Sequence, residues 1–271
     1  MTDEEAAMIR HLERGDRLRA ALLRHVIETL EIRSGARLLD IGCGIGLQAS
    51  QLVARSRPGS QVIGLDISRG LLAYAQEKTA APAHADQISF TQGDMGRLPF
   101  ADDSFDLCWS VDCLGYPAAD SLPLLKEAAR VARVGATVAV LAWTSQSVLP
   151  GHAMLEARLN ASASAYGPYL SQAKPEQHFM RLGKWFEAAG IREARCRSFI
   201  GEVAAPLDGG QRGAMADLFE MLWQDGLQTC SADDQAEYAS LCRPDSPDCV
   251  LDLPDYCAFF TYTMFSGIVQ R

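Results

Sequence analysis

The sequence predicts an α/β chain built on one largely parallel β-sheet, and three observations carry that expectation. Short apolar runs alternate with segments of helical period through the first 143 residues, the pattern that βαβ crossovers impose. The first apolar run ends in a glycine-rich turn that leads straight into a helix, Asp40-Ile41-Gly42-Cys43-Gly44-Ile45-Gly46. The second run leads into an acid, Asp66, and the third is followed by another, Asp94. Parallel strands bring such ends to one edge of the sheet, where open α/β folds bind their ligands.

Taken in order, residues 4–32 place Leu18, Leu22, Val26 and Leu30 at helical spacing, with Gly15-Asp16 expected to divide them into two short helices. Ala36 to Ile41 reads as the first buried strand. Leu47 to Ala54 is helical and stops at Pro58-Gly59. Val62 to Leu65 is the second strand, Arg69 to Lys78 a helix, Ile88 to Thr91 the third strand and Phe105 to Trp109 the fourth. A helix over Leu122 to Val134 and a strand over Ala136 to Trp143 complete the alternation. Residues 144–176, rich in Ser, Ala, Gly, Pro and Tyr, read as a long excursion with one short helix at Ala153 to Leu159. His178 to Ala189 is expected to be helical, ended by Gly190, and Ile191 to Val203 is a sixth strand. Helical spacing returns over 207–243 (Met215, Leu218, Phe219, Leu222), and Pro244, Pro247 and Pro254 punctuate a loop. Tyr256 to Val269 is aromatic and β-prone, a final strand. The expected organisation is an N-terminal helical cap, 1–35, on a domain over 36–271 with insertions at about 144–177 and 207–254.

Composition narrows the function classes. With 34 acidic against 25 basic residues the net charge is −9, where a nucleic-acid binder wants a basic face. The longest uncharged apolar stretch, Tyr256 to Val269, is shorter than the roughly 20 residues of a membrane span. The acidic start, Met1-Thr-Asp-Glu-Glu, is unlike a basic-then-apolar signal peptide. A cytoplasmic protein without a membrane span or nucleic-acid partner is expected. None of the eight cysteines stands in C-x-x-C spacing or beside a histidine at zinc-finger distance. Reduced, buried thiols and no metal are expected.

The chemistry lies at the strand ends. Alternate glycines let the chain turn tightly and let a ligand approach without meeting a Cβ. The following helix N-terminus offers free N–H groups suited to an anionic ligand group. The dinucleotide fingerprint G-x-G-x-x-G is not met: its third position holds Leu47, and the glycine comes one residue early, at Gly46. Asp40, two residues before the first glycine, would repel a pyrophosphate but suits a ligand carrying ammonium and sulfonium charges. Asp66, about 20 residues on, can accept two hydrogen bonds from a ribose diol, or can simply cap the helix starting near Arg69. Asp94 followed by Met95 can take an adenine amino group and cover the ring; alone it would be an ordinary turn acid.

Together these strand ends resemble the class I S-adenosylmethionine-dependent methyltransferases. The family's D/E-x-G-x-G-x-G motif matches Asp40, Gly42, Gly44 and Gly46, and its ribose and adenine acids match Asp66 and Asp94. The resemblance implies S-adenosyl-L-methionine as cofactor and S-adenosyl-L-homocysteine as product. It implies a cofactor site of Asp40, Gly42, Cys43, Gly44, Gly46, Asp66, Ile67, Asp94, Met95 and Ser110. The implied fold is a Rossmann-like seven-stranded mixed sheet whose last strand inserts antiparallel. Gly93-Asp94-Met95-Gly96-Arg97-Leu98-Pro99-Phe100, then Asp103-Ser104-Phe105-Asp106, is similar to the ubiquinone- and menaquinone-type branch, which includes many small-molecule enzymes. The resemblance covers about 36–143, and Trp185 to Gly190 extends it more weakly to Val203. Two departures stand out: Arg133-Val134-Gly135-Ala136 replaces the usual Arg-Pro-Gly-Gly turn, and Ser110 to Tyr116 lacks the histidine often found after the fourth strand.

Methyl transfer from a sulfonium has a good leaving group, so holding nucleophile and methyl carbon aligned at about 3 Å can supply most of the rate. A general base is needed only where the acceptor must lose a proton. The candidates are His178 and Tyr116, with His152 and Tyr166 behind them; capping or packing is the plainer role for each. The N-terminal helices and the 144–177 excursion can roof the strand ends. Segment 207–254, with Phe219, Trp223 and Tyr238, can either join that roof or form a homodimer contact. The expected activity is methyl transfer to a small, partly apolar organic acceptor, a secondary metabolite or quinone-like molecule. The rival readings are a nucleotide-dependent oxidoreductase and a non-catalytic S-adenosylmethionine-binding protein.

Overall fold

The computed structural model describes residues 2–79, 86–116, 120–162 and 174–270. Its core is a sheet of β1 (Arg37–Ile41), β2 (Gln61–Asp66), β3 (Ile88–Gln92), β4 (Phe105–Val111), β5 (Ala132–Ser147), β6 (Ile191–Ala204) and β7 (Cys257–Val269). The strand order is β3-β2-β1-β4-β5-β7-β6. β1 to β5 pair in parallel, and β7 enters antiparallel between β5 and β6. This is the seven-stranded mixed sheet expected from the sequence. The order reverses between β1 and β4, which puts the ligand edge at the carboxyl ends of these two strands.

Consecutive residues of a strand face opposite sides of the sheet, and here both sides are apolar. Leu38, Val62 and Trp109 pack with Leu23, Val26 and Ile27 of helix α1 (Asp3–Glu28) and with Leu52 of α2 (Leu47–Arg55). Leu39, Ile41, Cys108 and Val140 pack with Leu125 and Ala128 of α4 (Ser121–Val131), α3 being Arg69–Thr79. The remaining helices are α5 (Ala153–Ala161), α6 (Gly183–Ala188), α7 (Gly209–Trp223) and α8 (Ala232–Leu241). Among the described residues no helix is long and apolar enough to cross a membrane.

The structure corrects three sequence expectations. The predicted break at Gly15-Asp16 does not exist: α1 is continuous from Asp3 to Glu28, closed at its start by a Thr2/Glu5 capping box. A lone mid-helix glycine costs only about 1 kcal/mol, less than the packing of the helix's apolar face. Next, β5 runs to Ser147, four residues past the predicted end at Trp143, because β7 continues to pair with it as far as Phe259 through a bulge at Trp143/Ser145. Finally, the predicted helix over His178 to Ala189 is two 3-10 turns followed by the short α6.

The extended end of β5 anchors the additions. Trp143 Nε1 donates to Gln146 Oε1 at 2.8 Å, and Gln146 Nε2 donates to Asn160 Oδ1 at 3.0 Å. Asn160 Oδ1 also accepts from the buried Trp223 Nε1 at 3.0 Å. Glu156, itself buried, accepts the N–H groups of Val148 and Leu149. This polar chain seats α5 and α7 beside the sheet, and Arg14 ties α7 back to α1 through both oxygens of Asp217. A Cβ built on Gly15 meets nothing within 4 Å. Gly15→Ala is therefore expected to stabilise the protein by roughly 0.5–1 kcal/mol, read as a rise in the urea unfolding midpoint; a fall would mean that α1 needs its glycine to bend.

Candidate active site

After β1 the chain turns through Gly42, Gly44 and Gly46, all left-handed at φ 75, 53 and 76, where side chains other than glycine's are strained. A Cβ at Gly42 would sit 2.2 Å from Cys113 Sγ, and one at Gly46 would sit 2.8 Å from the Phe90 ring. Gly44 differs, because its nearest neighbour is Leu12 of α1, 3.2 Å from that would-be Cβ. The first and third glycines are thus demanded by the body of the domain, and the middle one by what lies over the turn.

The turn is strapped to the end of β2. Gly42 and Cys43 both donate their N–H to the Leu65 carbonyl, and Gly44 N–H donates to Asp66 Oδ2 at 2.8 Å. Asp66 Oδ1 accepts from Ser68 N–H at 2.9 Å. The cap of α3 is Ser68, whose hydroxyl accepts the Leu71 N–H, so the plain reading of Asp66 as that cap does not hold. Asp40 lies beneath the turn, 1% exposed, with Oδ2 lacking any hydrogen-bond partner. Burial, then the negative charge of Asp66, push its carboxyl up to about 7, against the pull of the Ala49 N–H in the first turn of α2. Cys43 is buried beside them, its thiol pushed up by the same causes.

The neighbouring strand ends continue the edge. Gly93 N–H donates to the Asp66 carbonyl, and Gln92 Nε2 donates to that of Ile67. Ile67 itself is 71% exposed. Asp94 is exposed, with Oδ1 accepting from Gly96 N–H, and Met95 is half-buried. Ser110 is placed differently from the expectation. Its buried hydroxyl donates to the Ile41 carbonyl and accepts the Leu114 N–H, so it ties the β1 and β4 ends together and offers no free hydroxyl to a ligand.

The first half of α1 roofs this edge. Glu5 Oε1 accepts from Ser68 Oγ and from Gly70 N–H at the start of α3. Ile9 and Leu12 form a small apolar cluster with Ile45 and Leu71. Further along, a cavity of about 880 Å³ opens between α1, α7, the end of β4 and the stretches of β5 and β7 around Trp143 and Tyr262. Its walls include Met8, Leu12, Leu18, Leu218, Met221, Trp143 and Tyr116. At one side Asp112 accepts the Trp143 N–H on Oδ1, and Arg19 Nη1 and the Tyr262 hydroxyl on Oδ2, each at 2.8 Å. Burial and the Asp112 charge push the Tyr262 phenol well above its ordinary value. His11, Arg10 and Arg14 complete the α1 wall. The cavity abuts the glycine turn, because Leu12 lines it while touching Gly44, and Asp112 lines it while the next residue, Cys113, packs on Gly42.

Of the candidate bases, Tyr116 lies on this cavity, its ring edge-on to Phe179. His178 does not line it; its Nδ1 accepts the Met180 N–H and caps a 3-10 turn. His152 pairs with Glu237 of α8, and Tyr166 lies outside the described residues. Sequence reasoning missed His11, Arg19, Asp112 and Tyr262. The available signal was the stripe His11, Gly15, Leu18, Arg19 at i, i+4, i+7 and i+8, which the assumed break at Gly15 concealed.

Comparison with known proteins agrees with this architecture. The methyltransferase-domain family matches residues 39–140. Demethylmenaquinone methyltransferase of Staphylococcus aureus is 31% identical over 197 residues, covering 67% of this chain and 78% of that one. Methyltransferase GfsG of Streptomyces halstedii is 34% identical over 128 residues, but the match spans only 44% of its length and 47% of this chain. The YcgJ protein of Bacillus subtilis superposes with a TM-score of 0.57 at 18% identity, covering 92% of this chain and 98% of that one, a likeness of fold. The motif at the β1 end, the seven-stranded order and the relative matched over most of its length lead to one conclusion: this chain belongs to the class I S-adenosylmethionine-dependent methyltransferases, in their small-molecule branch.

Proposed function

We propose that the protein methylates a small, partly apolar organic acceptor seated in the cavity between α1 and α7. The observation that carries this reading is the cavity's position against the glycine turn, with apolar and aromatic walls and a few polar groups, the usual make-up of a small-molecule site. The name of the Staphylococcus relative supports a quinone-like ring as the acceptor. The additions are read as a cap, 1–35, over a domain, 36–271, whose first insertion begins once β5 ends. Because α7 packs on α1 and walls the cavity, the 207–254 segment is read as part of the roof in preference to a dimer contact. A cytoplasmic enzyme fits this reading.

The cofactor of the family, S-adenosyl-L-methionine, supplies an electrophilic methyl group on a sulfonium. The residues at the strand ends fit such a ligand: a buried carboxylate oxygen without a partner at Asp40, a turn of left-handed glycines, and an exposed Ile67 beside Asp66. In this reading Asp40 balances the ligand's positive charge, and the turn of Gly42, Cys43, Gly44 and Gly46 carries its methionine portion, with Gly42 and Gly46 letting the turn sit close on the domain and Gly44 on the side away from it. Asp66 holds the ribose diol, Asp94 the adenine amino group, and Ile67 and Met95 cover the ring. The roof of α1 excludes water and aligns the acceptor.

The reading is tested by incubating the protein with methyl-labelled S-adenosyl-L-methionine and a panel of aromatic and quinone-like acceptors, with mass spectrometry of the products. Binding of NAD in place of S-adenosyl-L-homocysteine would favour an oxidoreductase instead. Three outcomes are expected. Asp66→Ala loses about 2–4 kcal/mol of S-adenosyl-L-homocysteine affinity, roughly 30- to 1000-fold by calorimetry; unchanged affinity removes Asp66 from the site. Leu218→Trp, which narrows the cavity, lowers turnover by about 100-fold through misplacement of the acceptor and leaves cofactor affinity in place. Because the Asp40 carboxyl sits at about 7, a cationic ligand that favours its ionised form should release a proton on binding near pH 6. Affinity then rises with pH up to about 7, and Asp40→Asn abolishes both effects, read by calorimetry in two buffers of different ionisation enthalpy.

A further inference from the structure

We propose that His11 is the proton acceptor of the reaction, and that the acceptor is an aromatic hydroxyl methylated on oxygen. This rests on the cavity being the acceptor site, as argued above. The placement comes first. His11 lines the cavity and is followed by Leu12, the residue lying over Gly44; successive residues differ by only about 1.5 Å of helix rise. His11 therefore belongs to the turn of α1 that passes over Gly44, with its side chain rotated by about 100° from that of Leu12 and lining the cavity.

The other titratable groups of the cavity are engaged or of the wrong charge. Arg10, Arg14 and Arg19 on α1 are cations. Asp112 spends both oxygens on the Trp143 N–H, Arg19 and Tyr262, and Tyr262 donates its own proton to Asp112. Asp217 of α7 is held through both oxygens by Arg14, and Glu220 lies exposed at the rim. Tyr116 is a phenol, a donor at neutral pH. The His11 imidazole makes no hydrogen bond to any described residue, so its ring nitrogens are left for a ligand. Burial first and the Arg19 charge second lower its pKa from the ordinary 6.5, while Asp217 opposes them. The ring is consequently neutral near pH 7 and able to take a proton. Arg19 in the same wall favours an ionised oxygen in the cavity.

The step balances without any further reactant. The acceptor O–H proton passes to the imidazole, and the freed oxygen pair forms the O–CH₃ bond. The C–S bond breaks with its electrons going to sulfur, leaving the neutral thioether S-adenosyl-L-homocysteine. The imidazolium then returns its proton to water. A hydroxyl acceptor is the class that requires this; an acceptor with a free lone pair and no acidic proton does not.

The test uses 2-naphthol, 2-naphthylamine and 1,4-naphthoquinone as acceptors with the full chain and its His11→Gln variant. In the unliganded protein, the NMR signal that disappears in His11→Gln should titrate below the ordinary histidine value. The wild type should form 2-methoxynaphthalene, with kcat rising with pH through that same titration. His11→Gln should lower kcat by about 100-fold with KM for naphthol and S-adenosyl-L-homocysteine affinity changed less than about threefold. The gap should narrow as pH approaches about 10, where a phenol ionises unaided. An unchanged kcat in His11→Gln, or a loss that high pH does not relieve, overturns the assignment of His11. A wild type that binds S-adenosyl-L-homocysteine yet methylates only the amine, only carbon, or no naphthol overturns the hydroxyl class. Failure to bind S-adenosyl-L-homocysteine at all overturns the proposed function beneath it.

Discussion

Two carboxylates, Asp40 and Asp66, face a single glycine turn, and the rest of the site is arranged around their mutual cost. A neighbouring negative charge in a buried setting favours protonation, and the charge of Asp66 adds to burial in pushing the Asp40 carboxyl up, while Asp66 accepts backbone N–H groups from Gly44 and Ser68. The turn can donate the Gly44 N–H to Asp66 because its glycines adopt left-handed conformations, and it can lie close on Cys113 and Phe90 because Gly42 and Gly46 have no Cβ atoms. A core strand that otherwise reads as apolar, Leu38, Leu39 and Ile41, would gain stability from an apolar residue at position 40. A buried acid with one unpaired oxygen makes physical sense as a place for a positively charged ligand.

Helix α1 serves two layers at once. Its second half, Leu22 to Ile27, is part of the main core; its first half lies on the ligand edge through Glu5, Ile9 and Leu12. Rigid continuity between the halves is what gives the cavity a defined wall. Where two short helices would leave the roof free to move independently, a single helix couples the seating of Glu5 on α3 to the position of His11 and Arg19 on the cavity wall. The Asp112 cluster then fixes the opposite wall: it joins α1, the end of β4, the bulged stretch of β5 and the antiparallel β7 in one set of bonds. The Asp112 carboxylate is spent on holding the wall, which leaves His11 as the cavity's uncommitted imidazole.

The alternating pattern, the glycine turn and the acids at the strand ends were legible in the sequence because each depends on local spacing. Period-two and period-3.6 runs determine strand and helix, left-handed turns demand glycine, and parallel strands bring Asp40, Asp66 and Asp94 to one edge. Tertiary structure decided what spacing cannot express. Gly15 passes for a helix breaker until the apolar face on either side of it is seen to pack on one sheet, and Trp143 ends a strand until β7 is seen to run beside it. Ser110 looks available until Ile41 and Leu114 are seen to occupy its hydroxyl. The cavity between α1 and α7 is the clearest case. His11 and Tyr262 stand some 250 positions apart in the chain, and only the docking of α1 against α7 and β7, driven by burial of apolar faces whose partners neither segment specifies alone, makes them walls of one cavity.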